Sequence, residues 1–161
     1  VAFEEIAQFE KLLAKKTGAP YAIMTDCCTH AIELCLRYKK VKRVQFTAYT
    51  YLSIPMTMHK LGIEYDLVPE KWTGEYRFYG TDIWDSARRL EDDMYRPGQM
   101  QCLSFGHNKP LQIGHGGAIL LDDKEAYVED ARIGLEKLFF VNEQPKYHEY
   151  PDLRDITIIG E

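Results

Sequence analysis

Apolar residues in this chain follow two periods in turn, and that alternation limits the fold more than any other feature. Phe3, Ile6, Phe9, Leu12 and Leu13 recur at helical spacing over 3–16, and Gly18 follows as a stop. The run 20-PYAIMTD-26 is short and apolar, the pattern of a buried strand. The spacing of Ala31, Leu34, Cys35 and Tyr38 then predicts a helix over 29–40, capped by Thr29 or a neighbour. Strand 42–46, helix 51–62 with Pro55 near its first turn, and strand 63–69 continue the alternation. Residues 70–80 read as a loop or hairpin, 81–85 as a strand ending on an acid, and 86–99 as a polar stretch. Strands at 101–105 and 117–122 and a charged helix over 123–138 follow. Strands alternating with helices predict an α/β fold with a mainly parallel, mixed central sheet flanked by helices. The expected organisation is one lobe over 1–140 and an irregular tail over 141–161.

Composition excludes several classes. With 45% apolar and 28% charged residues, the 161-residue chain has the balance of an ordinary globular domain. Its net charge of −5 offers no basic face for nucleic acid. No apolar run approaches the roughly 20 residues that cross a bilayer, and the acidic start VAFEEIAQFE is unlike a secretory signal. The absence of Met at position 1 fits processing or a start inside a longer protein. Cys27, Cys28, Cys35 and Cys102 form no CxxC pair, which favours reduced thiols in a cytoplasmic protein and no zinc cluster.

In parallel α/β sheets, ligands sit beyond the carboxyl ends of the strands, so the loops there are the candidate sites. At 25-TDCCTHA-31 a strand meets a helix start, where N–H groups and the Thr29 hydroxyl suit an anion or simply cap the helix. Tyr49 and Tyr51 in 47-TAYTYLS-53 can lie against an aromatic ligand or pack as ordinary tyrosines. Asp85 closes its strand with a carboxylate that can hold a protonated ring nitrogen or cap a turn at Ser86. In 101-QCLSFGHNKPLQIGHGGAILLDD-123, Lys109 stands among small polar residues and glycines, as a solvated loop lysine or as an amine for a Schiff base. His107 and His115 share no helical face and have no third ligand, so metal binding is not expected. Neither GxGxxG nor GxxxxGK[ST] occurs. Taken together, an anion site, an aromatic cover, an acid and an amine are what pyridoxal phosphate requires.

The order of these segments resembles the DegT/DnrJ/EryC1/StrS family of pyridoxal phosphate-dependent sugar aminotransferases, of the aspartate aminotransferase fold type. The resemblance rests on 9-FEKLLAKKTGAPYAI-23, 44-VQFTAYTYLSIPMTMHKLGIEYDLV-68, 84-WDSARR-89 and, most specifically, 103-LSFGHNKPLQIGHGGAILLDD-123, where SFxxxK precedes GxGG. It implies Lys109 as the Schiff-base lysine and proton shuttle, and Asp85 as partner of the pyridine nitrogen. It further implies Tyr51 on the ring, Cys28 and Thr29 with Ser104 at the phosphate, and Arg88 near the phenolic oxygen. It implies a homodimer with a shared active site, glutamate as donor and a keto-sugar nucleotide as acceptor. Cys27-Cys28-Thr29 replaces the family's usual Ser-Gly-Thr, Arg88 its His or Gln, and His115 its common acid; Pro110 restricts Lys109 to extended angles. Family members are longer and carry a small carboxyl-terminal domain that this chain does not reach. The alternative expectation is a shortened, catalytically impaired member that only binds cofactor or a protein partner.

Overall fold

The computed structural model describes residues 2–128; the remainder of the charged helix expected over 123–138, and the whole tail 141–161, lie outside these residues. The elements are α1 (Ala2–Thr17), β1 (Tyr21–Thr25), α2 (Cys28–Tyr38), β2 (Arg43–Thr47), α3 (Ser53–Leu61), β3 (Glu64–Val68), β4 (Tyr76–Arg77), β5 (Ile83–Asp85), β6 (Met100–Ser104) and β7 (Gly117–Leu121). Backbone over 124–128 is again helical. Local chemistry sets the ends. Gly18 takes φ 75 just after α1, and Gly62 closes α3 in the left-handed region, the conformation a side chain resists. Pro55 sits in the first turn of α3, where a helix has no use for its N–H.

Five strands form one sheet in the order β1-β7-β6-β5-β4, and β2 pairs with β3 in parallel. A bridge between Gln45 and Tyr79 joins the two groups. The α/β class and the mixed central sheet flanked by helices are as expected. Parallel pairing is not the dominant kind, however. β7 runs antiparallel to both β1 and β6, and β4 is antiparallel to β5, leaving β5–β6 as the parallel pair of the larger sheet. The physical reason is connection length. Residues 105–116 join β6 to β7 without a helix, and 78–82 join β4 to β5, so each chain turns back on its neighbour; a parallel return needs a longer crossover. β1, β5 and β6 still point the same way, because β7 reverses the direction twice.

Side chains alternate across this sheet. Ile23, Met100, Cys102, Ile119 and Leu121 face α2 and join Ile32, Leu36, Phe46 and Phe78 in one core. Ala22, Met24, Leu103, Ala118 and Leu120 face the other way and pack with Phe9 and Leu13 of α1. Each fully buried large apolar side chain contributes roughly 1.5–3 kcal/mol of transfer free energy. Leu12, expected on the buried face of α1, instead projects outward. Among the described residues, no helix is long and apolar enough to cross a membrane.

Candidate active site

Because β1, β5 and β6 are co-directional, Thr25, Asp85 and Ser104 come to one edge of the sheet. A cleft of about 320 Å³ opens there, lined by Cys27, Cys28, Thr29, Tyr51, Asp85, Ser104 and Lys109, with Ser53, Ala87 and His107 among the others. That volume lies at the small end of the usual range for ligand pockets. Of the residues expected to bind a ligand, the fold therefore gathers Cys28, Thr29, Tyr51, Asp85, Ser104 and Lys109. Arg88 does not join them: it is exposed, its N–H is tied to Gly74 O at 3.1 Å, and its neighbour Ala87 faces the cleft instead. Ala87 and Arg88 follow β5 directly, and of the two only Ala87 is among the cleft-lining residues.

The helix start is built by Cys27. Its sulfur accepts from His30 N at 3.4 Å, and its carbonyl receives Thr25 Oγ1 at 2.9 Å. α2 thus begins at the cleft, and a helix leaves its first N–H groups without acceptors of its own. Thr29 Oγ1 and Ser53 Oγ lie 2.8 Å apart, tying the start of α2 to the start of α3. Cys28 stands where glycine was expected, yet its φ is not positive. Its thiol turns to Asp85 Oδ1 at 3.8 Å. Burial, then the charge of Asp85, pushes this thiol well above its ordinary pKa, so it is a neutral donor.

Asp85 is the buried carboxylate of the cleft. Tyr76 Oη donates to Oδ2 at 2.8 Å and Ala87 N to Oδ1 at 3.0 Å. Burial pushes its pKa up and outweighs Tyr76, Ala87 N–H and the charge of Lys109. A cation brought to this carboxylate would offset that desolvation cost. Tyr76 was not legible as a site residue. It reaches Asp85 because β4 pairs with β5 in a register that places the two opposite each other. Ser53 was missed for the same reason, since its partner Thr29 is distant in sequence.

The segment behind Asp85 is anchored by Glu75, which accepts from Ser86 Oγ at 2.7 Å, Arg96 Nη1 at 2.7 Å and Arg89 Nη1. Burial works to raise its pKa, but Arg96, Ser86 and Arg89 outweigh it, and the net shift is downward from 4.5. A carboxylate with a lowered folded pKa contributes stability that is present above its unfolded pKa and lost as pH falls through the folded value. Glu75→Gln is therefore expected to cost about 1–3 kcal/mol near neutrality, with the deficit shrinking below pH ~4.5. Urea unfolding of both proteins along a pH series measures this; a deficit that stays constant into acid would refute it.

Lys109 is half-buried and sits on the β6–β7 connection. Its N–H bonds Gly106 O at 3.3 Å, and Gly106 bridges Gly114. Asn108 turns the chain at φ 63. Gly117 pairs with Thr25 on one side and Ser104 on the other. A Cβ there would lie 2.5 Å from Cys27 C and 2.6 Å from Cys28 N. Glycine is thus required for the close approach of this strand to the helix start.

Beside the cleft, Asp26 receives His30 Nδ1 at 2.7 and 2.6 Å. The hydrogen bond to Asp26 chiefly raises His30 from 6.5 to about 10. Burial pushes Asp26 up, but His30 outweighs it and the pKa falls. Among the described residues, Asp26, Cys27 and His30 place one ligand atom each within 4.8 Å of one another. Sequence reading passed over this trio, although positions one, two and five of a strand-to-helix turn carry the signal. His107 is among the residues that line the cleft, and His115 is not.

Residues 2–68 match the sequence model of the DegT/DnrJ/EryC1/StrS aminotransferase family. No curated protein matches. Among solved structures, the fold is similar to a DegT DnrJ EryC1 StrS aminotransferase from Brucella abortus, at TM-score 0.65 and 17% identity over 97% of this chain and 53% of that one. It is similar to DesI, solved in the presence of its TDP-sugar product, at TM-score 0.60 and 15% identity over 78% of this chain and 43% of that one. It is also similar to GDP-4-keto-6-deoxymannose-3-dehydratase with a trapped PLP-glutamate geminal diamine, at TM-score 0.58 and 16% identity over 76% and 45%. The chain spans about half the length of these structures.

Proposed function

From the premise that residues 2–68 carry the pattern of the DegT/DnrJ/EryC1/StrS aminotransferase family, we propose that the cleft holds pyridoxal 5'-phosphate and serves transamination. The donor is an amino acid, glutamate, and the acceptor a keto-sugar nucleotide. The observation that carries the reading is the convergence of Asp85, Lys109, Ser104 and the Cys28–Thr29 helix start on one cleft. The residues fit the group: a buried carboxylate with a desolvation cost to offset, an anion-binding helix start, and a nearby amine.

When bound, the cofactor supplies an aldehyde for an amine and a ring that absorbs negative charge. Asp85 accepts the ring N–H and keeps it protonated, with Tyr76, Ala87 N–H and Cys28 orienting its oxygens. Helix-start N–H groups, Thr29 and Ser104 bind the phosphate. Cys28 accommodates this because its thiol points to Asp85 rather than into the anion site. Lys109 Nζ holds the cofactor in place and afterwards takes and returns a substrate Cα proton. Tyr51 covers the ring.

Tyr51 is 79% exposed, and Tyr49, Leu52 and Met56 nearby are exposed as well. A homodimer that covers this surface and shares the active site agrees with that exposure. A cytoplasmic setting agrees with the four free cysteines. A lobe limited to binding has no separate observation in its favour.

The test is chemical mapping. The protein is mixed with pyridoxal phosphate, treated with borohydride, digested and analysed by mass spectrometry. A single pyridoxyl group on Lys109 is expected. Labelling spread over surface lysines, or absent, would overturn the reading.

A further inference from the structure

The trio beside the cleft carries an inference independent of the cofactor. We propose that Asp26, Cys27 and His30 form a zinc site at the lip of the cleft. The three residues converge because the chain leaves β1 at Asp26, caps α2 at Cys27 and enters its first turn at His30. Their ligand atoms lie within 4.8 Å of one another, and all three residues are half-buried, open enough for an ion to enter. The arrangement is held locally: Thr25 Oγ1 fixes the Cys27 carbonyl at 2.9 Å, and His30 N fixes the Cys27 sulfur at 3.4 Å.

The donor set selects the metal. Thiolate, imidazole and carboxylate together suit zinc; magnesium and calcium prefer oxygen alone. Ligands about 2.0–2.3 Å from zinc sit roughly 3.3–3.8 Å apart on a tetrahedron, so the His30–Asp26 pair, now at 2.6–2.7 Å, has to open by about an ångström or less, and a pair near the 4.8 Å limit has to close by about as much. His30 Nδ1 already touches both Asp26 oxygens, and rotation of either side chain opens room for an ion between them. Binding displaces the proton that these two share and the thiol proton of Cys27. Three protein ligands leave a fourth position open for water or an anionic oxygen. Cys27 also lines the cleft, so that position adjoins the substrate space.

The test uses the full chain stripped with a chelator. It is titrated with zinc sulfate against a chromophoric competitor, and separately with cobalt(II), which reports thiolate ligation by a charge-transfer band. One equivalent bound, with that band, is expected. Cys27→Ser should remove the band while keeping helix α2, because serine is itself a good N-cap. His30→Ala should weaken zinc binding about tenfold or more, roughly 1.4 kcal/mol. No binding above the competitor would overturn the site, as would equal binding by the wild type and both folded variants. Neither outcome depends on pyridoxal phosphate, so failure here leaves the cofactor reading standing.

Discussion

Lys109→Ala is expected to abolish borohydride-stable attachment of pyridoxal phosphate, an all-or-none loss. The substitution is a clean one. Lys109 is half-buried in a connection whose backbone bond, from its own N–H to Gly106 O, survives truncation. Asp85, Ser104 and the α2 start stay where the sheet places them, so non-covalent binding should persist with affinity reduced roughly tenfold or more. Two measurements separate the components: mass after borohydride for attachment, and equilibrium dialysis for affinity. If the variant still acquires one pyridoxyl group at a single position, another amine serves the site and the assignment of Lys109 fails.

Gly117→Ala is expected to lower stability by about 3 kcal/mol, at the upper end for overpacked sites. The cause is contact, since Gly117 does not use a positive φ. Its added Cβ would meet backbone atoms of Cys27 and Cys28 at 2.5, 2.6 and 2.7 Å, and backbone cannot rotate away. β7 or the helix start must move, so the anion site should suffer along with the fold. Gly106→Ala is the matched control: its φ is ordinary and its added Cβ meets only Ser104 Oγ at 3.6 Å. That variant should stay within about 0.5 kcal/mol of wild type. Urea midpoints compare them directly, and equal stability of the two variants would remove the packing argument.

Both predictions concern the β6–β7 connection, the segment whose sequence was most informative. Its lysine, serine and glycines were legible because small residues around one amine are unusual in a run bounded by strands. Helix and strand positions were legible for a similar reason, since each is written in local periodicity. The expected strand over 20–26 became Tyr21–Thr25, and the helix over 51–62 became Ser53–Leu61. Partnerships were less legible. The bonds from Tyr76 to Asp85 and from Thr29 to Ser53 join residues on different elements, and no local pattern records them. Arg88 is a different case: the family resemblance implies a place near the cofactor, and in the fold its side chain is exposed and outside the residues that line the cleft.

The antiparallel placement of β7 is the intermediate case. A connection without a helix between two strands implies reversal, and residues 105–116 contain none. The sequence by itself therefore determined the alternation of elements, the apolar faces and the chemistry available at each strand end. Only the tertiary structure decided which ends meet. Burial is read from neighbours along the chain, whereas strand order and register arise from the packing of two cores on opposite faces of one sheet. That packing brings Asp85, Lys109 and the start of α2 to a single edge.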